Sequence, residues 1–361
     1  MNIALVLKEF SARGGTERYA ANLARWLVGR GHEVHVYAST IDRSLVPAGL
    51  VVHEVQQARP KTIQFVRRTW GIRKLGHDVV QGFGRSVGHD VYRAGGGVHA
   101  AWLNASGDTL YPWLRGRLSP AEWLARFVDR RAIRGARIVI CNSHMAAAQV
   151  CAYHGVEERR VRVIRNGVNL ERFRPRPEMR RALRARWGVR GRVLAFVGNG
   201  FRRKGLLVAG HAFAKVARDE DRFLVVGRDR HAERYLAPVR GVLGDRLLYE
   251  GEVPDPERYM AAADATVLPT KYDAAANTTL EALACGVPPV TSDRDGNAEI
   301  VPDRRLVVTD PDDVDQVSRA IRVAWGESDW VDRCRRVAET WTVARNGRDV
   351  EAVYRECVHG Q

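Results

Sequence analysis

Short, mostly apolar runs alternate along the chain with stretches whose apolar residues fall at helical spacing. The runs NIALVL (2–7), EVHVYAS (33–39), VVHEV (51–55), DVVQGFG (78–84) and RIVICNS (137–143) have the length of strands and the composition of a sheet buried on both faces. Between them, Tyr19, Leu23, Trp26 and Leu27 make one apolar helix face that Gly31 ends, and helical patterns recur at 61–75, 120–133 and 144–153. The segment VRVIRNGVNLERFRPRP (161–177) is rich in turns and proline and reads as a crossing between domains. Beyond a helix near 178–187 the alternation restarts with RVLAFVGNG (192–200), RFLVVG (222–227), LLYEGEV (247–253) and ATVLPT (265–270). Helices are expected between these runs near 205–217, 231–240 and 255–263, with two more near 311–325 and 344–357. Strand–helix alternation predicts parallel, doubly wound α/β sheets. A chain of 361 residues exceeds what one core usually supports, so the expectation is two Rossmann-like domains, 1–168 and 169–343. Residues 344–361 are expected to form a helix that packs back on the first domain, with a ligand in a cleft where the two halves face each other.

Charge narrows the partners. The formal net charge is +16, which favours a polyanion: nucleic acid, an anionic membrane surface or a phosphorylated substrate. Lysine is rare beside arginine (Lys8, Lys61, Lys74, Lys204, Lys215, Lys271), so a lysine at a key point carries more information than any one arginine. Five widely spaced cysteines, with no C-x-x-C pair, read as reduced thiols of a cytosolic protein. No run approaches the roughly 18 apolar residues of a membrane span, and the first residues read as a strand rather than a signal.

Three loops carry chemistry. Gly14-Gly15 stands between the first strand and its helix, where glycine lets a backbone approach a ligand closely. In VGNGFRRKG (197–205) a strand ends in a glycine-flanked loop bearing Arg202, Arg203 and Lys204. Cations facing a helix start suit a diphosphate. In YDAAANTTLEALACGVPPVTSDRDG (272–296), Asp273 and Glu281 flank a run of small residues through Asn277 and Thr278, where open backbone N–H groups attract phosphate. Histidines show no metal-ligand spacing, and the acidic triplets Asp293-Arg294-Asp295 and Asp219-Glu220-Asp221 read as surface turns. A fourth segment, 102–137, interleaves Trp102, Trp113, Trp123, Tyr111 and Phe127 with seven arginines from Arg115 to Arg137. It suits an anionic membrane interface or single-stranded nucleic acid, or else a helix with Trp123 and Phe127 in the core and its arginines in water.

With these motifs the chain resembles the retaining GT-B glycosyltransferases of family four, and among them the lipopolysaccharide inner-core glucosyltransferases that add glucose to heptose. The markers are the GGTER loop, GFGRSVGHDVYRA, VIRNGV, VGNGFRRKG and the two carboxylates at 273 and 281 followed by EALACGVPPVTS. The resemblance implies that Gly14 and Gly15 close over the donor phosphates, and that Arg203 and Lys204 bind the diphosphate and steady its departure. It also implies that Glu281 holds the ribose, Asp273 meets the transferred sugar near C1, and Asn277 and Thr278 help hold phosphate. Asp90 matches an acceptor-side acid. Arg115, Arg117, Trp123, Arg126, Arg130 and Arg131 are candidates for a membrane or acceptor surface.

No metal or other cofactor is implied, because Arg, Lys and helix amides meet the ligand's charge. The implied partners are UDP-glucose, a phosphorylated core heptose and the cytoplasmic face of an anionic inner membrane, with no nucleic acid. Two departures bear on the donor: Asp273 stands where the family usually has glutamate, and Ala276 where it has glycine. GDP- or ADP-linked sugars, other glycolipids and soluble acceptors are the alternatives within the family. A non-enzymatic nucleic-acid-binding protein is the alternative outside it.

Overall fold

The computed structural model describes residues 1–11, 14–56, 61–105 and 120–360. The chain divides into two compact units, one formed by Met1–Gly167 with Val343–Gln361 and the other by Val168–Thr342.

In the first unit seven parallel strands form one sheet: β1 (Asn2–Val6), β2 (Glu33–Ala38), β3 (Leu50–Glu54), β4 (Val79–Phe83), β5 (Val91–Arg93), β6 (Ile138–Cys141) and β7 (Val161–Val163). Their order is β3-β2-β1-β4-β5-β6-β7, with Ile3 beside Val34 on one side and Val79 on the other. β1 is apolar from Ile3 to Val6 because both of its faces are covered there. Ile3 and Leu5 pack with Leu23 and Leu27 of the helix Gly15–Gly29, while Ala4 and Val6 pack with Phe65 and Ile72.

β5 escapes a reading by apolar runs. It has three residues, and one is Arg93, buried with its guanidinium 3.7 Å from the centre of the Tyr19 ring. The helix Val343–His359 belongs to this unit, where Val350, Val353, Tyr354 and Cys357 enter the core. Gly347 permits the approach, since a Cβ there would lie 2.3 Å from the Trp26 ring. Asn346, beside it, accepts from the Tyr19 hydroxyl at 3.0 Å.

The second unit repeats the plan with six parallel strands: β8 (Val193–Val197), β9 (Arg222–Val226), β10 (Leu247–Gly251), β11 (Ala265–Leu268), β12 (Pro289–Ser292) and β13 (Val307–Val308). Their order is β10-β9-β8-β11-β12-β13, so both sheets wind outward in opposite directions from their first strand. Ligands of such sheets sit at the carboxyl ends of the strands, where the winding reverses. Three helices close this part of the chain rather than two: Val314–Gly326, Trp330–Thr340 and Val343–His359. The middle one is hidden in sequence because arginines crowd between Trp330, Cys334 and Ala338, the residues it buries.

The two acidic triplets are not both surface turns. Asp221 is buried and accepts the backbone N–H of Arg192 at 2.6 Å and of Arg218 at 2.8 Å. Asp295 is fully buried as well. Each acid accepts a backbone N–H from a distant part of the chain, Asp221 from Arg192 and Asp295 from Ala276, a role that short polar sequences do not advertise.

Candidate active site

In the second unit the chemistry gathers at the carboxyl ends of β8 and β11. β8 runs into Gly198, Asn199 and Gly200, and a single helical turn, Phe201–Lys204, follows. Phe201 is fully buried and its N–H donates to Asp229 at 2.7 Å, so the turn is pinned at its start. Gly205 ends it in the left-handed region at φ +78°, with Pro269 so close that a Cβ would lie 2.3 Å from its carbonyl oxygen. Only glycine meets both demands. The loop after β11 is tied to this turn through the Arg203 carbonyl, which accepts Lys271 N–H at 2.8 Å and the Thr270 hydroxyl at 3.2 Å.

These ties bring Arg203, Lys204 and Asp273 into one ion cluster. Arg203 Nη1 donates to Asp273 Oδ2 at 2.9 Å and to the Tyr272 carbonyl at 2.9 Å. Lys204 Nζ donates to the same carboxylate oxygen, and Lys204 is only 5% exposed. Burial alone would raise the Asp273 carboxyl, but the charges of Lys204 and Arg203 outweigh it and hold the group below the ordinary carboxylate range. Two cations and one anion leave a positive excess facing the helix Asn277–Ala284.

That helix has no side-chain cap of its own, since Ala276 occupies the N-cap. Asp295 serves from a distance, accepting Ala276 N–H at 2.8 Å, the Thr279 hydroxyl at 2.6 Å and Asn297 N–H at 2.9 Å. Burial, and then the neighbouring charge of Asp273, push the Asp295 carboxyl above its usual range. Asn277 and Thr278 open the helix, and Glu281 follows four and three residues later on the same face, 8% exposed. Asp295 was missed in sequence because Ala276 and Thr279, the partners that tie it to the helix start, lie 19 and 16 residues away.

The first unit has a set of groups of its own. Gly14, at φ +92°, is the N-cap of the helix Gly15–Gly29, a backbone conformation that favours glycine. Beyond β4 and β5 lies a cavity of about 370 Å³. Its wall includes Arg85, Arg93, Arg126, Arg130, Asp129 and the glycine run 95–97. A smaller cavity of about 230 Å³ adjoins it at Thr16, Gly84 and Arg85. Arg85, Arg93 and Asp129 were missed in sequence, although a triple glycine directly after a strand is a signal that such a crevice can supply.

Asp90 requires a correction. It stands before β5, at the amino end of the sheet, and is occupied there: its carboxylate accepts Val80 N–H at 3.0 Å and pairs with Arg73 at 2.8 Å. A residue preceding a parallel strand cannot reach the crevice at the other end, so Asp90 is a strut of the sheet rather than an acceptor-side acid.

The helix Pro120–Gly135 also differs from one expectation. Trp123 is 70% exposed and Phe127 62%, so these rings face water and not the core. Arg126 and Arg130 line the larger cavity, and the Arg131 guanidinium lies 5.4 Å from the centre of the Trp70 ring. Arg115 and Arg117, with Tyr111 and Trp113, lie outside the described residues.

Comparison with known proteins agrees with this plan. A family model described as Glycosyltransferase Family 4 matches residues 13–172, and one described as Glycosyl transferases group 1 matches residues 191–326. A probable transglycosylase of Burkholderia thailandensis is 30% identical over 325 residues, spanning 85% of this chain and 82% of its own. The chain belongs to the GT-B glycosyltransferases of family four. The lipopolysaccharide glucosyltransferase WaaG of Escherichia coli is 25% identical to this glycosyltransferase over 361 residues, 94% of this chain and 95% of its own. The crystal structure of WaaG superposes with a TM-score of 0.82 at 22% identity, covering 99% of this chain and all of that one. Anabaena HepE, solved in complex with UDP-glucose, has the same fold, with a TM-score of 0.72 at 17% identity over 99% of this chain and 100% of its own.

Proposed function

We propose that this glycosyltransferase moves glucose from UDP-glucose onto a phosphorylated heptose of a lipopolysaccharide core, with retention at the anomeric carbon. The observation that carries the donor half is the Arg203–Lys204–Asp273 cluster facing the start of the helix Asn277–Ala284. The diphosphate is held by Arg203, Lys204 and the amides near Asn277 and Thr278, the ribose hydroxyls by Glu281, and the sugar near C1 by Asp273.

In the reaction, the bond from C1 to the β-phosphate oxygen breaks while a bond from C1 to the acceptor oxygen forms on the same face. The acceptor proton passes to the departing phosphate. Arg203 and Lys204 stabilise the charge that grows on the leaving group, so no metal is required. The likeness to WaaG and to HepE bound to UDP-glucose supports the choice of donor and acceptor.

Arginines around the 370 Å³ cavity suit a phosphorylated acceptor, with Arg85, Arg126 and Arg130 as its anion contacts. The exposed Trp123 and Phe127 beside them suit the headgroup region of an anionic membrane and support a peripheral position on the cytoplasmic face of the inner membrane. Among the described residues no helix is long and apolar enough to cross one.

The donor assignment is tested by thermal unfolding with UDP, GDP and ADP and their glucose conjugates. A ligand at a hundred times its Kd stabilises by about 2.7 kcal/mol. UDP and UDP-glucose are expected to stabilise the parent protein and to fail with Lys204→Ala. Stabilisation by GDP or ADP alone would move the donor to that base, and no response to any of the three would end the reading.

A further inference from the structure

A cavity of about 340 Å³ opens in the second unit at the amino ends of β8, β11 and β12, the sheet edge opposite the loops that carry Arg203 and Asp273. The proposed transfer reaction makes no use of it. Two helices begin in its wall, Pro177–Arg186 and Trp330–Thr340, and the N-cap side chains Arg176 and Asp329 bond to neither first turn. Each therefore presents the positive end of its dipole without a side-chain cap.

Three lining residues also bury a hydrogen-bond donor that has no acceptor among the described residues: Trp325 Nε1, Trp330 Nε1 and Arg176 Nε. Both indoles are at least nine-tenths buried. Indole and guanidinium nitrogens only donate, and a buried donor left unpaired is costly.

The two acids that line the cavity, Asp264 and Glu327, are already engaged, and Glu257 behind it pairs with Arg172 at 3.0 Å. Asp264 already takes Arg180, Arg184 at 2.9 Å and the Val193 N–H at 2.7 Å. Glu327 pairs with Arg305 and, at 2.7 Å, with Arg333. Arg192, at the rim, stacks 5.3 Å from the Trp325 ring centre and has no carboxylate partner among the described residues. The lining thus carries three arginines, Arg176, Arg180 and Arg192, against two carboxylates, Asp264 and Glu327.

We propose that it binds a small phosphate monoester, a phosphorylated monosaccharide, at a site separate from that of the nucleotide sugar. A phosphate monoester offers three strong acceptor oxygens and about 1.5 to 2 negative charges. The two indole N–H groups offer donors for a sugar's hydroxyls. The volume falls at the lower end of small-molecule pockets, about 300–1,000 Å³, and exceeds what a bare phosphate ion fills.

The test uses the full chain with indole-¹⁵N tryptophan, saturated with UDP, in which Trp325→Phe and Trp330→Phe assign the two indole resonances. Glucose 6-phosphate is expected to shift both saturably, glucose to shift neither, and Arg176→Gln to weaken binding about tenfold. Arg192→Gln, at the exposed rim, provides a second variant and is expected to weaken binding less. Absence of any saturable shift with glucose 6-phosphate overturns the proposal. So does equal affinity for inorganic phosphate, which would reduce the cavity to a bare anion site, or affinity unchanged in both arginine variants. Because these resonances report on a cavity away from Lys204, failure here and failure to bind UDP are separate results.

Discussion

Replacing Asp273 by asparagine separates what the ion cluster does for stability from what it does for catalysis. Asp273 is the shared acceptor of Arg203 and of Lys204, whose side chain is 7% exposed. Removing one partner of a buried ion pair costs about 3–5 kcal/mol. The Arg203 side chain is 36% exposed and that of Asp273 19%, so solvent screens part of the loss and about 2–3 kcal/mol is expected. For a unit of this size each kcal/mol moves Tm by about 2–4 °C, which puts Asp273→Asn about 4–12 °C below the parent.

A nucleoside diphosphate brings back the missing anion and no longer competes with an internal carboxylate. Calorimetry is therefore expected to show UDP binding more tightly to Asp273→Asn than to the parent, by about tenfold, while scanning fluorimetry shows most of the lost Tm restored. Transfer activity should fall by about a hundredfold, since the group positioning the sugar is gone.

The acid side provides a further check. The folded Asp273 carboxyl lies below its unfolded value, so its contribution is present above the ordinary pKa of about 3.9 and fades as pH falls through the folded value. The difference between parent and variant should accordingly close in acid. An Asp273→Asn protein that melts with the parent, or binds UDP no better, would refute the reasoning.

Three other perturbations follow from the same geometry. His89 is buried against Tyr92, and burial lowers its pKa to about 3, so the first unit should lose stability as pH falls from about 6.5 toward 3, by up to about 1.4 kcal/mol per pH unit. Denaturant unfolding at pH 7.5 and 4.5 should show that His89→Phe narrows this difference; an unchanged gap assigns it to other groups. Gly205→Ala combines φ +78° with a Cβ 2.3 Å from the Pro269 oxygen, so a loss of about 2 kcal/mol or more is expected along with UDP affinity, and a variant of parental Tm would contradict the close approach. Trp123→Ser with Phe127→Ser should abolish flotation with anionic liposomes while leaving UDP binding intact, and flotation that persists would remove these rings from the membrane surface.

Much of the architecture was legible because parallel strands covered on both faces must be largely apolar, as β8 is throughout and β1 is from Ile3 to Val6. β5 and the helix Trp330–Thr340 were not, since a three-residue strand carrying Arg93 and an arginine-laden helix both break the pattern that sequence offers. The site divides in the same way. The positions of Arg203 and Lys204 in the turn after a strand, and of Asn277 and Thr278 at a helix start, could be named in advance, because local chain geometry decides what is presented there.

What the chain determines alone is local: where strands stop, which glycines must turn, and which charges stand at those turns. Three things are decided only in three dimensions. Asp273 is shared between Arg203 and Lys204, about seventy residues away. Asp295 serves as the cap that Ala276 lacks. Asp90, which sequence placed among the reacting groups, is spent on Val80 and Arg73 at the far edge of the sheet. The physical reason is that a carboxylate's role depends on which donors surround it once water is excluded, and those donors come from distant parts of the chain.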